Sequence, residues 1–305
     1  MSQHTSLRVG GAADYFIAAT TPDVLAEAAA LAQRFDLPHF VLGAGSNVCV
    51  GDAGIRGMVL QNLCRNAQIA ELTYVDAGHN LMELFVRTMQ TGLSGLEFAV
   101  GIPGTVGGAL VSNAGAYRAN ICDLVQEIDV VEGGERRRVS PDWMGFSYRD
   151  SRLRRQGGEP ATLIGACLKL HPTPKTEIRL KAKDFQMQRI LKQPWEPSAG
   201  SWFKNVYDHA LAESLATLPD VMKQAGVVPA AYLSEACGCK GFRVGGAGIS
   251  QRHANFIVNC GGATAAEIRQ TAEHVKARVL DRFGVLLEEE VLYVGDWSKL
   301  RSAVE

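Results

Sequence analysis

The run Gly101-Ile102-Pro103-Gly104-Thr105-Val106-Gly107-Gly108 constrains this chain more than any other stretch. Four glycines in eight residues fill no core. Glycine has no side chain to bury and loses more backbone entropy on ordering than any other residue. A chain accepts that cost where its backbone turns sharply or lies against another molecule. Successive N–H groups in such a turn form a concave donor surface suited to a phosphate. Asn113-Ala114-Gly115-Ala116-Tyr117 follows closely, and a second turn, Gly43-Ala44-Gly45-Ser46-Asn47, comes directly after the apolar Phe40-Val41-Leu42. Two such turns suggest a pyrophosphate held between them, on a cofactor with a bulky planar part.

Composition removes several classes of function. The chain has 305 residues, enough for two or three domains, and 47% of them are hydrophobic, enough for a sizeable core. Net charge is −1, and the basic run Arg136-Arg137-Arg138 follows Glu132 and Glu135, which reads as a solvated hairpin edge. Nucleic acid is therefore not an expected partner. Met1-Ser2-Gln3-His4-Thr5 has no apolar h-region. No apolar run approaches the ~20 residues of a membrane-spanning helix, so no membrane is expected. The seven cysteines are scattered, and Cys237-Gly238-Cys239 lacks the CxxC spacing of zinc and redox sites. The expectation is reduced thiols in a cytoplasmic protein with no metal.

The pattern is mixed α and β, with boundaries near residues 60 and 172. Thr21-Pro22-Asp23 opens a helix with Val24, Leu25, Ala28, Leu31, Ala32 and Phe35 as its apolar face. Asn80 begins another, with Leu81, Leu84, Phe85 and Thr88 inward and Gly92 as the stop. Strand-like runs cover 124–132, 135–139 and 161–170, and Phe185–Ile190 reads as helical. Gln193 to Gly200 is turn-rich. Thr264-Ala265-Ala266-Glu267 fits a capping box, followed by the stripe Ile268, Ala272, Val275, Val279 and Phe283 and the stop Gly284. A last strand covers 290–294.

Neither GxGxxG after a strand nor GxxxxGK[ST] is present, so Rossmann and P-loop nucleotide sites are not indicated. In Gly200-Ser201-Trp202-Phe203-Lys204-Asn205 a hydroxyl, an ammonium and an amide lie within five residues, a set able to hold an anionic substrate. The competing reading is a turn-forming serine. Arg149 has the fork geometry to clamp a carboxylate, or it is a surface arginine paired with Asp150. Glu288-Glu289-Glu290 reads as a solvated strand start, yet alternation makes Glu289 and Glu290 face opposite ways, so one of them can point into a cleft.

Taken in order, these segments resemble the UDP-N-acetylenolpyruvoylglucosamine reductases, flavoenzymes of bacterial peptidoglycan precursor synthesis. The resemblance runs nearly end to end. It covers His4-Thr5-Ser6, Val9 to Ala12, Leu42 to Asn47, Gly95 to Gly108, Asn113 to Tyr117, Tyr148 to Ser151, Gly200 to Asn205, His253 to Asn259 and Glu290-Val291. Arg118 stands where the family has glycine, and no insertion supplies the mobile tyrosine loop of the longer type, so the shorter type is expected.

The resemblance implies an α+β fold: a two-lobed FAD-binding half of the vanillyl-alcohol oxidase type (1–60 and 61–172) and a C-terminal α/β substrate-binding domain (173–305). It implies a non-covalent FAD held by Gly43, Ala44, Gly45, Ser46, Asn47, Gly101, Ile102, Pro103, Gly104, Thr105, Gly107 and Gly108, and by Asn113, Ala114, Gly115 and Tyr117. NADPH would be the hydride donor and the enolpyruvyl ether of UDP-N-acetylglucosamine the small-molecule substrate, in a monomer. Ser201 would deliver the proton, with Arg149 and a protonated Glu290 as donors to the charge built on the substrate carboxylate. Lys204, Asn205, His253 and Asn255 are candidates for the UDP diphosphate and sugar, His253 equally being a hydrogen-bonded histidine at a strand start. Two rival readings remain: an oxidase on the same cofactor fold, and a non-enzymatic FAD-binding protein.

Overall fold

The computed structural model describes residues 1–155 and 160–298. The chain divides into two compact units, cut elsewhere than at 60 and 172. One comprises Ala13–Gly45 and Ile55–Leu191; the other gathers Met1–Ala12, Ser46–Gly54 and the chain from Lys192 onward.

In the first unit, Ala13–Ala19, Ile55–Asn62 and His39–Leu42 form a parallel three-stranded sheet with Ile55–Asn62 in the centre. The strand running to Asn62 therefore belongs with the first two. The helix Pro22–Arg34 crosses over between them, and its cap Thr21 accepts a hydrogen bond from the Val24 N–H at 3.3 Å. That helix buries Leu25, Ala29 and Ala32, while Val24, Leu31 and Phe35 are exposed. The buried stripe packs on Met58 and Leu60 of this sheet and on Val131 and Ile164.

An antiparallel five-stranded sheet follows, in the order Glu135–Val139, Val125–Glu132, Ala161–Lys169, Leu72–Asp76, Ala67–Gln68. The helix Leu81–Thr91 packs its buried Leu81, Leu84, Phe85 and Thr88 into the same core. Its ends are chemically marked: Asn80 Oδ1 accepts from the Glu83 N–H at 2.9 Å, and Gly92 closes it at φ 79°. Arg136 reaches back to Asp129 and Asp23, as a hairpin edge does.

A two-residue hairpin joins Gly115–Ala116 to Ala119–Asn120 through Tyr117 and Arg118, at φ 54° and 65°. Both turn positions are left-handed, the pattern that favours Asn-Gly. Arginine is strained there, which explains what glycine does at the second position. Arg118→Gly is expected to raise stability by about 1 kcal/mol, the left-handed penalty less the entropy of the freer unfolded chain. Urea unfolding checks this: the midpoint rises and the slope is unchanged.

In the second unit, Ser198–Ser201, Phe256–Asn259, Ala247–Ile249 and Arg243–Val244 form an antiparallel sheet in that order. The helix Ala265–Phe283 covers it. Thr264 and Glu267 make the reciprocal capping box, and Gly284 ends the helix at φ 68°. Ile268, Ala272, Val275 and Val279 are buried in the core it shares with Trp202 and Phe203. Each fully buried Ile or Val is worth about 1.5–3 kcal/mol. Val48–Val50 pairs in parallel with Leu292–Val294, which draws Ser46–Gly54 into this unit. No helix among the described residues is long and apolar enough to cross a membrane.

Candidate active site

In the first unit, the strand His39–Leu42 delivers the turn that starts at Gly43. A Cβ at Gly43 would sit 2.5 Å from Thr105 Oγ1, so the two glycine turns touch. Thr105 is itself a cap, with Oγ1 accepting from the Gly108 N–H at 3.2 Å. The Gly101–Gly108 loop is bolted from below: Val106 N–H donates to the His79 carbonyl at 2.9 Å, Gly107 N–H to Ala77 at 2.7 Å, and Leu81 N–H to Gly104 at 3.1 Å. The amides of Ile102, Val106, Gly107 and Gly108 are therefore spent inside the protein. The donor surface read from the sequence is correspondingly smaller than the whole run. Gly108 is exposed, and beyond Thr105 nothing lies within 4 Å of where its Cβ would be. Two touching glycine turns with an open backbone face fit the phosphate-bearing part of FAD.

Tyr117, at the hairpin tip, stacks on Phe185 with centroids 3.7 Å apart, and its hydroxyl donates to the Phe185 carbonyl at 3.0 Å. One helical turn on, Arg189 extends its guanidinium 5.7 Å from the Tyr117 ring and donates to the Phe98 carbonyl. Burial pushes the Arg189 pKa below its usual value. The helix expected at Phe185–Ile190 runs over Lys175–Lys192, and Phe185 and Arg189 share the face it turns to Tyr117, at spacing i, i+4.

Arg149, at φ 51°, donates from Nη1 to the Asn113 carbonyl at 3.2 Å and from Nη2 to the Gly115 carbonyl. Asp150 pairs with Arg155 at 2.6 Å. Asn113 is held from the other side, its Nδ2 donating to the Ser147 carbonyl at 2.8 Å.

In the second unit, Ser201 ends its strand opposite Phe256. The next residue, Trp202, donates its N–H to the Asn255 carbonyl at 2.7 Å and accepts the Glu290 N–H at 2.7 Å. Ser201 and Glu290 therefore sit on neighbouring, hydrogen-bonded segments. Asn47 secures the far side, its Nδ2 donating to the Glu290 carbonyl at 3.1 Å. The three consecutive acids also separate. Glu288 pairs with Lys204 at 2.5 Å and Glu289 with Lys276 at 3.0 Å, so each neighbour of Glu290 on its N-terminal side has its own lysine.

The expected ligand-binding side chains are engaged locally. Lys204 is 9% exposed and bound to Glu288. Asn205 Oδ1 accepts from the Ala230 N–H at 3.3 Å. His253 Nδ1 accepts from the Asn255 N–H at 3.2 Å, and burial, then Lys192 and Lys240, push its pKa down. Asn255 is buried, with both ends of its amide on the Phe203 backbone.

Residues 13–139 match a family described as an FAD binding domain. That match spans both glycine turns, and it defines an FAD-binding protein. Residues 192–294 match the C-terminal domain of UDP-N-acetylenolpyruvoylglucosamine reductase. The chain is 36% identical to the UDP-N-acetylenolpyruvoylglucosamine reductase of Syntrophomonas wolfei over 97% of its own length and 93% of that protein's. It is 38% identical to the one from Geobacter metallireducens, over 97% and 92%. The crystal structure of the enzyme from Thermus caldophilus superposes with a TM-score of 0.77 at 31% identity, covering 96% of both chains. The chain belongs to the UDP-N-acetylenolpyruvoylglucosamine reductase family.

Proposed function

We propose that this enzyme uses NADPH to reduce the enolpyruvyl ether of UDP-N-acetylglucosamine to UDP-N-acetylmuramate, in the cytoplasm, as a step of peptidoglycan precursor synthesis. The observation that carries the reading is the pairing of Ser201 with Glu290 on one hydrogen-bonded scaffold, in a chain whose other unit matches an FAD-binding domain. FAD, held by the glycine turns, would supply the hydride, drawn from NADPH, that the methylene carbon of the enol ether needs. The chain's own groups do the rest. Saturating the double bond also needs a proton at the carbon bearing the carboxylate, and Ser201 supplies it from Oγ. Until it arrives, negative charge gathers on the carboxylate. Arg149, its plane fixed by the carbonyls of Asn113 and Gly115, and a protonated Glu290 are the donors that hold that charge. The net change is one hydride and one proton added across the double bond, with NADP released. The glycine turns and Asn113 to Tyr117 are assigned to FAD. Lys204, Asn205 and His253 are assigned to the nucleotide sugar.

The test is an anaerobic titration. NADPH is expected to bleach the flavin absorbance, and the enolpyruvyl nucleotide sugar to restore it mole for mole. A reduced protein that ignores this substrate and is reoxidised rapidly by oxygen would be an oxidase instead, and the proposal would fail.

A further inference from the structure

We propose that Asn255 is a positioning residue, whose side chain replaces a missing length of β-strand and thereby fixes both Ser201 and Glu290. The inference deepens the reading above and rests on it. The strand Phe256–Asn259 pairs with Ser198–Ser201 only as far as Phe256 opposite Ser201. Past that point the ladder continues through a side chain. Asn255 Oδ1 accepts the Phe203 N–H at 2.9 Å, and Nδ2 donates to the Phe203 carbonyl at 2.8 Å. Its own carbonyl accepts the Trp202 N–H at 2.7 Å. Three hydrogen bonds from one residue therefore hold the two residues that follow Ser201.

The same short segment carries the acid. The Trp202 carbonyl accepts the Glu290 N–H, and Phe203 bridges Glu289. Asn255 is 4% exposed, beside Trp202 at 0% and Phe203 at 1%. Its amide is committed at both ends to backbone, in a dry place where those bonds are strongest. A ligand contact would take one of them away. The geometry thus gives Asn255 a mechanical part in catalysis, distinct from the nucleotide-sugar contact its residue type suggests.

The asparagine amide carries a donor and an acceptor on one planar group, and glutamine would place the same group a methylene further out. Asn255→Ala deletes both bonds. Asn255→Asp keeps the shape and the bond to the Phe203 N–H, but sets a carboxylate oxygen against the Phe203 carbonyl. It is the variant to use should the alanine protein not retain FAD.

Each variant is expected to slow reoxidation of the reduced enzyme by saturating enolpyruvyl substrate by about 10²-fold, the cost of a misplaced reacting group. Reduction by NADPH and the dissociation constant of the substrate from the oxidised enzyme should stay within about twofold of wild type. Added to Ser201→Ala, Asn255→Ala should slow reoxidation by clearly less than the ~10²-fold it costs alone, because one of the two groups it positions is already removed. A raised dissociation constant with normal reoxidation at saturation would make Asn255 a ligand contact and overturn the proposal. Equal loss of both half-reactions would make it merely structural and overturn it too. Normal reoxidation in Ser201→Ala alone would sink the underlying reading. A slow Ser201→Ala beside an unaffected Asn255→Ala would sink only the positioning role.

Discussion

Replacing Ser201 with alanine is expected to slow oxidation of the reduced enzyme by its enolpyruvyl substrate by ~10²–10⁴-fold, the usual worth of a positioned general acid. That range corresponds to about 3–5 kcal/mol of transition-state stabilisation. Reduction by NADPH should be nearly unchanged, because that half-reaction moves hydride alone. The division between half-reactions is what makes the result diagnostic. A hydroxyl is a weak acid, so it serves only against a strongly basic intermediate and only if it is already aimed. The scaffold provides the aim: Ser201 closes a strand, Trp202 is bonded on both sides to Asn255 and Glu290, and Asn47 holds Glu290 from behind. Stopped-flow absorbance of the flavin in each direction, under nitrogen, separates the two rates. If both fall together, Ser201 shapes the fold instead of donating a proton.

The features legible in the sequence were those fixed by near neighbours. The helix Leu81–Thr91 begins at Asn80, ends at Gly92 and buries the four residues its periodicity marks, because capping and amphipathic spacing act within a few turns. The capping box at Thr264 and Glu267 is the same kind of signal. Partners far apart in sequence were not legible. Val48–Val50 pairs with Leu292–Val294, and no local pattern says so; that pairing is why the compact units are cut at 12, 46 and 54. Residue type also hides the partner. Nothing in the residue type of Arg149 says that its guanidinium also meets the carbonyls of Asn113 and Gly115. Nor does the residue type of Lys204 say that it meets Glu288. The row of three acids could not be sorted by alternation alone. In the fold Glu288 meets Lys204 and Glu289 meets Lys276, pairings that no local pattern reveals.

Gly43→Ala is expected to weaken FAD binding by about 10–100-fold, the affinity equivalent of the ~1–3 kcal/mol that overpacking costs. The new methyl would lie 2.5 Å from Thr105 Oγ1 and 3.3 Å from its Cγ2, too close for either turn to keep its place. Gly43 does not need glycine for its backbone angles; it is the approach of Thr105 that excludes a side chain. That distinction yields a pairwise test. Thr105→Ala removes both offending atoms and leaves only Cβ, at the ordinary contact distance of 3.5 Å. On its own it loses the cap on the Gly108 N–H, worth about 1 kcal/mol. Combined with Gly43→Ala it should recover most of the lost affinity, so the double variant binds FAD more tightly than Gly43→Ala alone. Titration of the apoprotein with FAD, followed by flavin fluorescence, measures all four proteins. Non-additivity of this sign ties the two glycine turns into one cradle. Wild-type affinity in Gly43→Ala would show instead that the cofactor does not depend on how closely these turns meet.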